Sequence, residues 1–247
     1  MPESKVSSKR SDDDSFVVIL AGGIGSRFWP ASTPKRPKQL LALATDSPLI
    51  TDTIQRGKEI VPTNKVRVLA NARLTEAFQS LPRDLEDDVY LIEPRARGTC
   101  PALVWAAWSI NRECPDGVMI SLHSDHLIEP LDDFQQTIAA AAELARAKEI
   151  LVCIGVQPDR IETGYGHIQP GEAINLESEL DAFTVSAFHE KPNAPNAERY
   201  LQEGYLWNTG MFVWKASTFL NEVRVNAPEV GDCLPLLEES PEAFFDA

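Results

Sequence analysis

Gly22, Gly23 and Gly25, a single arginine at Arg27, and a basic group of Lys35, Arg36 and Lys38 all fall within residues 21–39, directly after an apolar run. Glycine lets backbone N–H groups come close to an anion, and successive N–H groups make a concave cradle for one. Arginine and lysine supply the charge that follows phosphate oxygens. The chain carries a formal net charge of −14, so dense local positive charge needs a cause. A nucleoside triphosphate is the ligand to which this chemistry points. The loop matches neither of two common phosphate motifs. No G-x-x-x-x-G-K-[ST] run occurs, and a dinucleotide fingerprint needs a third glycine where this chain has Phe28. The plain structural alternative is a tight strand-to-helix turn with solvated charges.

Further polar runs stand out downstream. Glu93-Pro94-Arg95-Ala96-Arg97-Gly98-Thr99-Cys100-Pro101-Ala102 reads structurally as a strand end, a loop and a helix beginning at Thr99. Ser124-Asp125-His126 follows another apolar run. Asp125 is either a functional carboxylate or the cap of the next helix, and Asp132 is the better cap by position. Thr163-Gly164-Tyr165-Gly166, Glu190-Lys191-Pro192 and Trp207-Asn208-Thr209-Gly210-Met211-Phe212 complete the set. Taken singly, Glu190-Lys191 is an exposed pair and Asn208-Thr209-Gly210 a turn. His167 and His189 alternate with apolar residues and read as structural. His123 and His126 flank Asp125, either tuning it or starting a helix.

These residues need a scaffold, and the pattern supplies one. Apolar runs predict strands over 16–21, 65–70, 89–92, 117–122 and 150–155. Helices are expected over 47–59, 73–81, 101–112 and 132–148, the first opened by Pro48. This alternation predicts an α/β fold with a doubly wound, mostly parallel, Rossmann-like sheet. Ligands in such sheets bind beyond the carboxyl ends of the strands. The glycine loop, Glu93 and Asp125 all fall at such ends. After residue 155 the texture changes to a glycine-rich hairpin from 163, an edge strand over 181–188, a helix over 195–204, a strand over 207–214 and a helix over 216–225.

Composition narrows the classes. The 247 residues suit one large α/β domain or two small ones, and a 43% apolar fraction supports an ordinary core. The acidic balance argues against a nucleic-acid surface. No apolar run reaches membrane-spanning length and no signal peptide is visible, so neither membrane nor nucleic acid is an expected partner and the cytoplasm follows by default. Cys100, Cys114, Cys153 and Cys233 are scattered without a C-x-x-C pair, which suits reduced thiols. Residues 1–14 read as a disordered tail and 15–247 as one domain. The oligomeric state is open, a homo-oligomer included.

The G-G-x-G-x-R run with Pro30 and Pro37-Lys38-Gln39 resembles the sugar-1-phosphate nucleotidyltransferases. With the Glu93–Ala102 run, the Asp125 site and the later runs in order, the chain resembles the mannose-1-phosphate guanylyltransferases over residues 16 to about 230. The resemblance implies a nucleotide-diphospho-sugar transferase fold with a sugar-binding second half. It implies transfer of GMP from GTP to mannose 1-phosphate, giving GDP-mannose and pyrophosphate. Arg27 would stabilise the leaving pyrophosphate, Lys38 would reach the α-phosphate, and Asp125 would hold Mg²⁺. The nucleotide would meet Leu20, Ala21, Gly22, Gly23, Gly25, Glu93, Arg97, Thr99 and Pro101. The sugar phosphate would meet Gly166, Glu190, Lys191 and Asn208.

Several departures qualify the resemblance. Gly98 stands where the family run has Asn, Cys100 where it has Ala, and His123 where its acidic site has Pro. The I-D-Y-x-V-M-E type run carrying a second metal aspartate is absent from these 247 residues, as is a carboxyl-terminal β-helix segment. The expectation is therefore a truncated product with a loosened end around Leu234, Leu236, Leu237, Phe244 and Phe245. Two alternatives are another sugar-1-phosphate nucleotidyltransferase and a non-catalytic regulatory subunit that binds a nucleotide sugar.

Overall fold

A computed structural model describes residues 14–23, 28–33, 36–78, 89–176 and 178–247. The chain begins its fold with β1 (Ser15–Leu20), whose first five residues are buried. Both faces of such a strand must be covered, and the alternation of its side chains divides the core in two. Val17 and Ile19 pack into one cluster, Phe16 and Val18 into the other.

The first cluster is closed by α1 (Leu49–Lys58), α2 (Ala72–Phe78) and α4 (Leu131–Ala147), through Ile50, Ile54, Leu74, Phe78, Phe134 and Ile138. The second is closed by α3 (Thr99–Glu113) and α6 (Ala216–Asn226), through Leu103, Trp105, Ile110, Phe219 and Leu220. The short α7 (Pro228–Gly231), a 3-10 turn (Leu234–Glu238) and α8 (Pro241–Asp246) complete that side, and α5 (Ala194–Gln202) comes earlier in the second half. Helices on both faces give the doubly wound arrangement that the alternation predicts.

Among the described residues, one eight-stranded sheet runs in the order β3-β2-β1-β4-β8-β6-β7, with β5 paired to β8 off this path. Besides β1 it contains β2 (Val66–Asn71), β3 (Tyr90–Glu93), β4 (Val118–His123), β5 (Val152–Val156), β6 (Gly166–Ala173), β7 (Phe183–Glu190) and β8 (Leu206–Lys215). The pairs β1·β2, β1·β4 and β2·β3 are parallel. The second half is not: β8 enters antiparallel beside β4, and β5 and β6 pair with β8 antiparallel. The strand that neighbours β4 thus comes from ninety residues downstream rather than from the next apolar run. As its exposed alternation suggests, β7 lies at the end of this path.

Two expectations about the chain ends change. Asp14 belongs to the fold rather than to the expected tail: its carboxylate pairs with Arg146 at 2.7 Å and its carbonyl accepts from Val118 N at 3.0 Å. The segment around Phe244 and Phe245 is not loosened. Leu234, Leu237, Phe244 and Phe245 are all buried, and Phe245 meets the Trp105 ring edge-on at 5.8 Å. The apolar face of α3 is wide enough to cover these side chains within the chain itself.

Candidate active site

The carboxyl ends of β1, β3 and β4 open on the same side of the sheet, and the polar runs converge there. After Leu20, Ala21 donates to Leu69 O at 2.9 Å, and Ser124 N donates to Leu20 O at 3.2 Å. A Cβ on Gly22 would lie 3.5 Å from Oε1 of Glu93, so the glycine loop and the end of β3 are neighbours. At Gly23 φ is +120°, a region that an L side chain rarely adopts, and the Lys38 stem passes 3.7 Å from where its Cβ would be. The Lys38 ammonium then forms an ion pair with Oδ2 of Asp125. Leu20, Ala21, Gly22, Gly23, Lys38, Glu93 and Asp125 therefore form one cluster. Gly25 and Arg27 lie outside the described residues.

A residue that the motif reading left without a role holds this loop. Gln39 is fully buried next to Lys38 in the 3-10 turn Lys38–Leu40. Its amide nitrogen donates to Ala21 O at 2.6 Å and to Gly23 O at 3.1 Å. The Pro-Lys-Gln run was the available signal, because a primary amide beside a glycine loop can supply two donors to its carbonyls.

Electrostatics fit an anion-handling cation and an ionised carboxylate. Burial works against the charge on Asp125, but the Lys38 hydrogen bond and charge outweigh it, helped by His126 and His123, and hold the carboxyl below its usual value. Burial, reinforced by His123 and opposed by Asp125, brings His126 down to about 4. His123 is lowered too, by burial first. The helix-cap role for Asp125 does not occur, because α4 starts only at Leu131 behind Pro130. Nor does Asp132 cap it; Asp132 and Asp133 occupy the first turn.

Burial raises the Glu93 carboxyl. The sign follows directly: a folded-state value above the unfolded one favours folding when the group is protonated. That contribution fades as pH rises from the ordinary carboxylate range through the raised value. Glu93→Gln is therefore expected to raise the melting temperature at pH 7 and to leave it unchanged near pH 3, as read by thermal unfolding across pH.

The later runs assemble on the second half of the sheet. Gly166 pairs with Glu190 across β6 and β7, and His167 pairs with Trp207 across β6 and β8. One step along, this antiparallel register carries Gly166 toward Asn208. A Cβ on Gly166 would approach Oε2 of Glu190 to 3.0 Å. Lys191, with φ +45°, pairs with Glu190, and both side chains are exposed. Asn208 Oδ1 accepts from Gly210 N at 3.0 Å, which shapes the turn and leaves its amide nitrogen to donate elsewhere. The buried His167 contacts Tyr165 O at 3.1 Å, and His189 stacks on Tyr200 at 4.8 Å, the structural roles expected of both.

Gly210 joins the two halves. Its φ is +74°, and a Cβ there would sit 2.5 Å from Nε2 of His123. Gly210→Ala is expected to cost at least about 1 kcal/mol from backbone strain alone and to displace His123. Urea denaturation together with the histidine NMR signals would read both; unchanged values would mean that the turn relaxes freely.

Arg97 follows β3, and Thr99 and Pro101 open α3. Gly98 takes φ +95° ahead of α3, whose first residue is Thr99. The Arg97 side chain is not directed at the glycine loop in this structure. Its Nε donates to Phe245 O at 2.9 Å, and Nη2 donates to Asp246 O at 3.3 Å. Arg95 pairs with Asp246 at 2.9 Å. A carboxyl-terminal helix end is a natural place for guanidinium groups, because its last carbonyls lack partners.

Comparison with known proteins bears on this site. A family model described as nucleotidyl transferase matches residues 16–246. A mannose-1-phosphate guanylyltransferase of Escherichia coli is 37% identical over 224 residues, 88% of this chain and 46% of that protein. The mannose-1-phosphate guanylyltransferase RfbM of Salmonella typhimurium is 36% identical over 218 residues, 86% of this chain and 44% of that protein. The chain thus spans about half the length of these curated relatives. A Thermus thermophilus structure described as a mannose-1-phosphate geranyltransferase superposes with TM-score 0.83 at 26% identity, covering 94% of this chain and 67% of that one. Among the described residues, no helix is long and apolar enough to cross a membrane.

Proposed function

We propose that this chain, which belongs to the nucleotidyl transferase family over residues 16–246, transfers GMP from GTP to mannose 1-phosphate, giving GDP-mannose and pyrophosphate. The observation that carries this reading is the Lys38–Asp125 pair at the mouth of the glycine loop. A lysine and an ionised carboxylate side by side match the two charges of a metal–triphosphate. The names of the curated relatives favour mannose and guanine over another sugar nucleotide.

The sugar phosphate is ionised at neutral pH, so the reaction needs no strong base. One of its oxygens forms a bond to the α-phosphorus while the bond from that phosphorus to the pyrophosphate oxygen breaks in line. Protein groups contribute position and charge. The glycine loop from Leu20 to Gly25 gives its N–H groups to the phosphates. Lys38 leaves Asp125 for the α-phosphate, and Arg27 stabilises the departing pyrophosphate. Glu93, Arg97, Thr99 and Pro101 line the base side, with Arg97 first released from its contacts to the last residues. Gly166, Glu190, Lys191 and Asn208 receive the sugar and its phosphate.

The donor set at Asp125 fits Mg²⁺, because that ion is usually bound through one or two carboxylates plus substrate phosphates. When bound, Mg²⁺ supplies charge neutralisation along the triphosphate. Asp125 would hold it, and Lys38 keeps that carboxylate ionised until then. The reaction takes place among cytoplasmic metabolites in this reading.

Pyrophosphate release with every pairing of ATP, GTP, UTP and dTTP against mannose, glucose and N-acetylglucosamine 1-phosphates tests the proposal. Fastest release with GTP and mannose 1-phosphate is expected. Faster release with another pair would move the chain to another sugar, and tight GTP binding with no release from any pair would make it a binding subunit.

A further inference from the structure

Proposed nucleotidyl transfer uses only the carboxylate of a richer cluster. His123, Asp125 and His126, at and just after the end of β4, each place a ligand atom within 4.8 Å of the other two. The two imidazole rings lie 4.9 Å apart between centroids, tilted by 39°. All three side chains are half-buried, so none is free to swing through solvent. The close approach of Gly210 to Nε2 of His123 fixes that ring from the β8 side. Lys38 engages only Oδ2 of the carboxylate.

We infer that His123, Asp125 and His126 form a site for a first-row transition cation of the Zn²⁺ or Co²⁺ class, filled without nucleotide. The donor set carries the inference. Imidazole nitrogen suits zinc, cobalt and nickel, whereas Mg²⁺ is a hard ion that takes oxygen and keeps its waters. Two imidazoles and one carboxylate satisfy three positions and leave the others open to water or phosphate oxygens. Such an ion draws Asp125 away from Lys38. It therefore competes for the same carboxylate that the triphosphate-borne Mg²⁺ would use. Only the His126 imidazole and the carboxylate lie in the resembling family run; His123 stands at its proline position, so the three-ligand set is a property of this chain.

The site shares Asp125 with the proposed activity but rests on nucleotide-free chemistry, so the two fail separately. Titration of the nucleotide-free chain with Co²⁺, followed by visible absorption and calorimetry, is the test. One equivalent is expected to bind with cobalt d–d bands and to persist in a large excess of Mg²⁺. Losing an outer partner of a metal ligand already costs about 10–100-fold, so His123→Asn and His126→Asn should each weaken binding by roughly 10²-fold. Circular dichroism of both variants shows that they fold. Three results overturn the inference: no bound Co²⁺, equal affinity in folded histidine variants, or a near-ultraviolet thiolate-to-cobalt band that traces the ion to a cysteine. Pyrophosphate release in Mg²⁺ on the same preparation keeps the outcomes apart. Activity without a cobalt site sinks only this inference, and a cobalt site without activity sinks only the proposed transfer.

Discussion

Lys38→Met is expected to lower the rate of the proposed GDP-mannose formation by about 10²–10³-fold, the usual scale for removing one pre-aimed charge from a transition state. Methionine keeps most of the stem that lies over Gly23 and removes the ammonium. The loop should therefore keep its shape, with Gln39 still donating to Ala21 and Gly23. The second consequence concerns Asp125. Its carboxyl is held below the ordinary value against the effect of burial, and Lys38 is the main opposing cause. A depressed carboxylate contributes stability above its unfolded value, and that contribution is lost as pH falls through the folded one. In Lys38→Met the carboxyl should titrate at a higher pH, and the acid limb of the stability curve should move up with it. Steady-state kinetics and acid unfolding would be read on the same protein. A near-native rate would remove Lys38 from the chemistry, and a raised acid limb with that rate would leave it a purely structural partner of Asp125.

Much of the scaffold was legible because it follows from local patterning. The run over 16–21 is apolar at every position from Phe16 to Ala21, which only a strand covered on both faces requires, and β1 is such a strand. Gly22, Gly23, Glu93 and Asp125 lie at the carboxyl ends of β1, β3 and β4 for the same reason. What was not legible is long-range. Nothing in the run over 206–215 says that it inserts beside β4, because an antiparallel and a parallel neighbour can bury the same alternation. Arg97 reads as a nucleotide contact by position in its run, yet its guanidinium finds the last carbonyls of α8, a helix nearly 150 residues away in sequence. Likewise, the closeness of Gly210 to His123 leaves no trace in either segment; a glycine after Asn208-Thr209 is an ordinary turn until the other strand is in place. Side-chain pairing within the site had one visible clue, the adjacency of Lys38 and Gln39, and only the fold gives each of them a direction.

The same reasoning makes Asp125→Asn the sharpest probe of the site. Asparagine keeps the volume and one acceptor for Lys38, and the side chain sits past the end of β4, so no core cavity opens. The fold should stay intact, and stability at neutral pH should fall only by the contribution of the depressed carboxylate. Ligand chemistry should change greatly. Nucleotide-free, Lys38 and Asp125 neutralise each other; in the proposed reaction the triphosphate would take Lys38, and the metal that it carries would take the carboxylate. An amide oxygen has no charge to offer a hard divalent ion, and like any neutral donor it competes poorly with water for Mg²⁺. Calorimetry should therefore show GTP binding that no longer strengthens with Mg²⁺, and turnover should fall by at least roughly 10²-fold, since the metal's charge is then poorly fixed against the attacking phosphate. Lys38, released from a carboxylate, should still attract the triphosphate, so affinity for GTP without Mg²⁺ should hold or rise. This opposite response of metal-free and metal-bound nucleotide separates a metal carboxylate from a simple ion-pair partner. If Mg²⁺ continued to tighten GTP binding in the variant, the metal would have to be held by another carboxylate, and Asp125 would be left with the sole task of orienting Lys38.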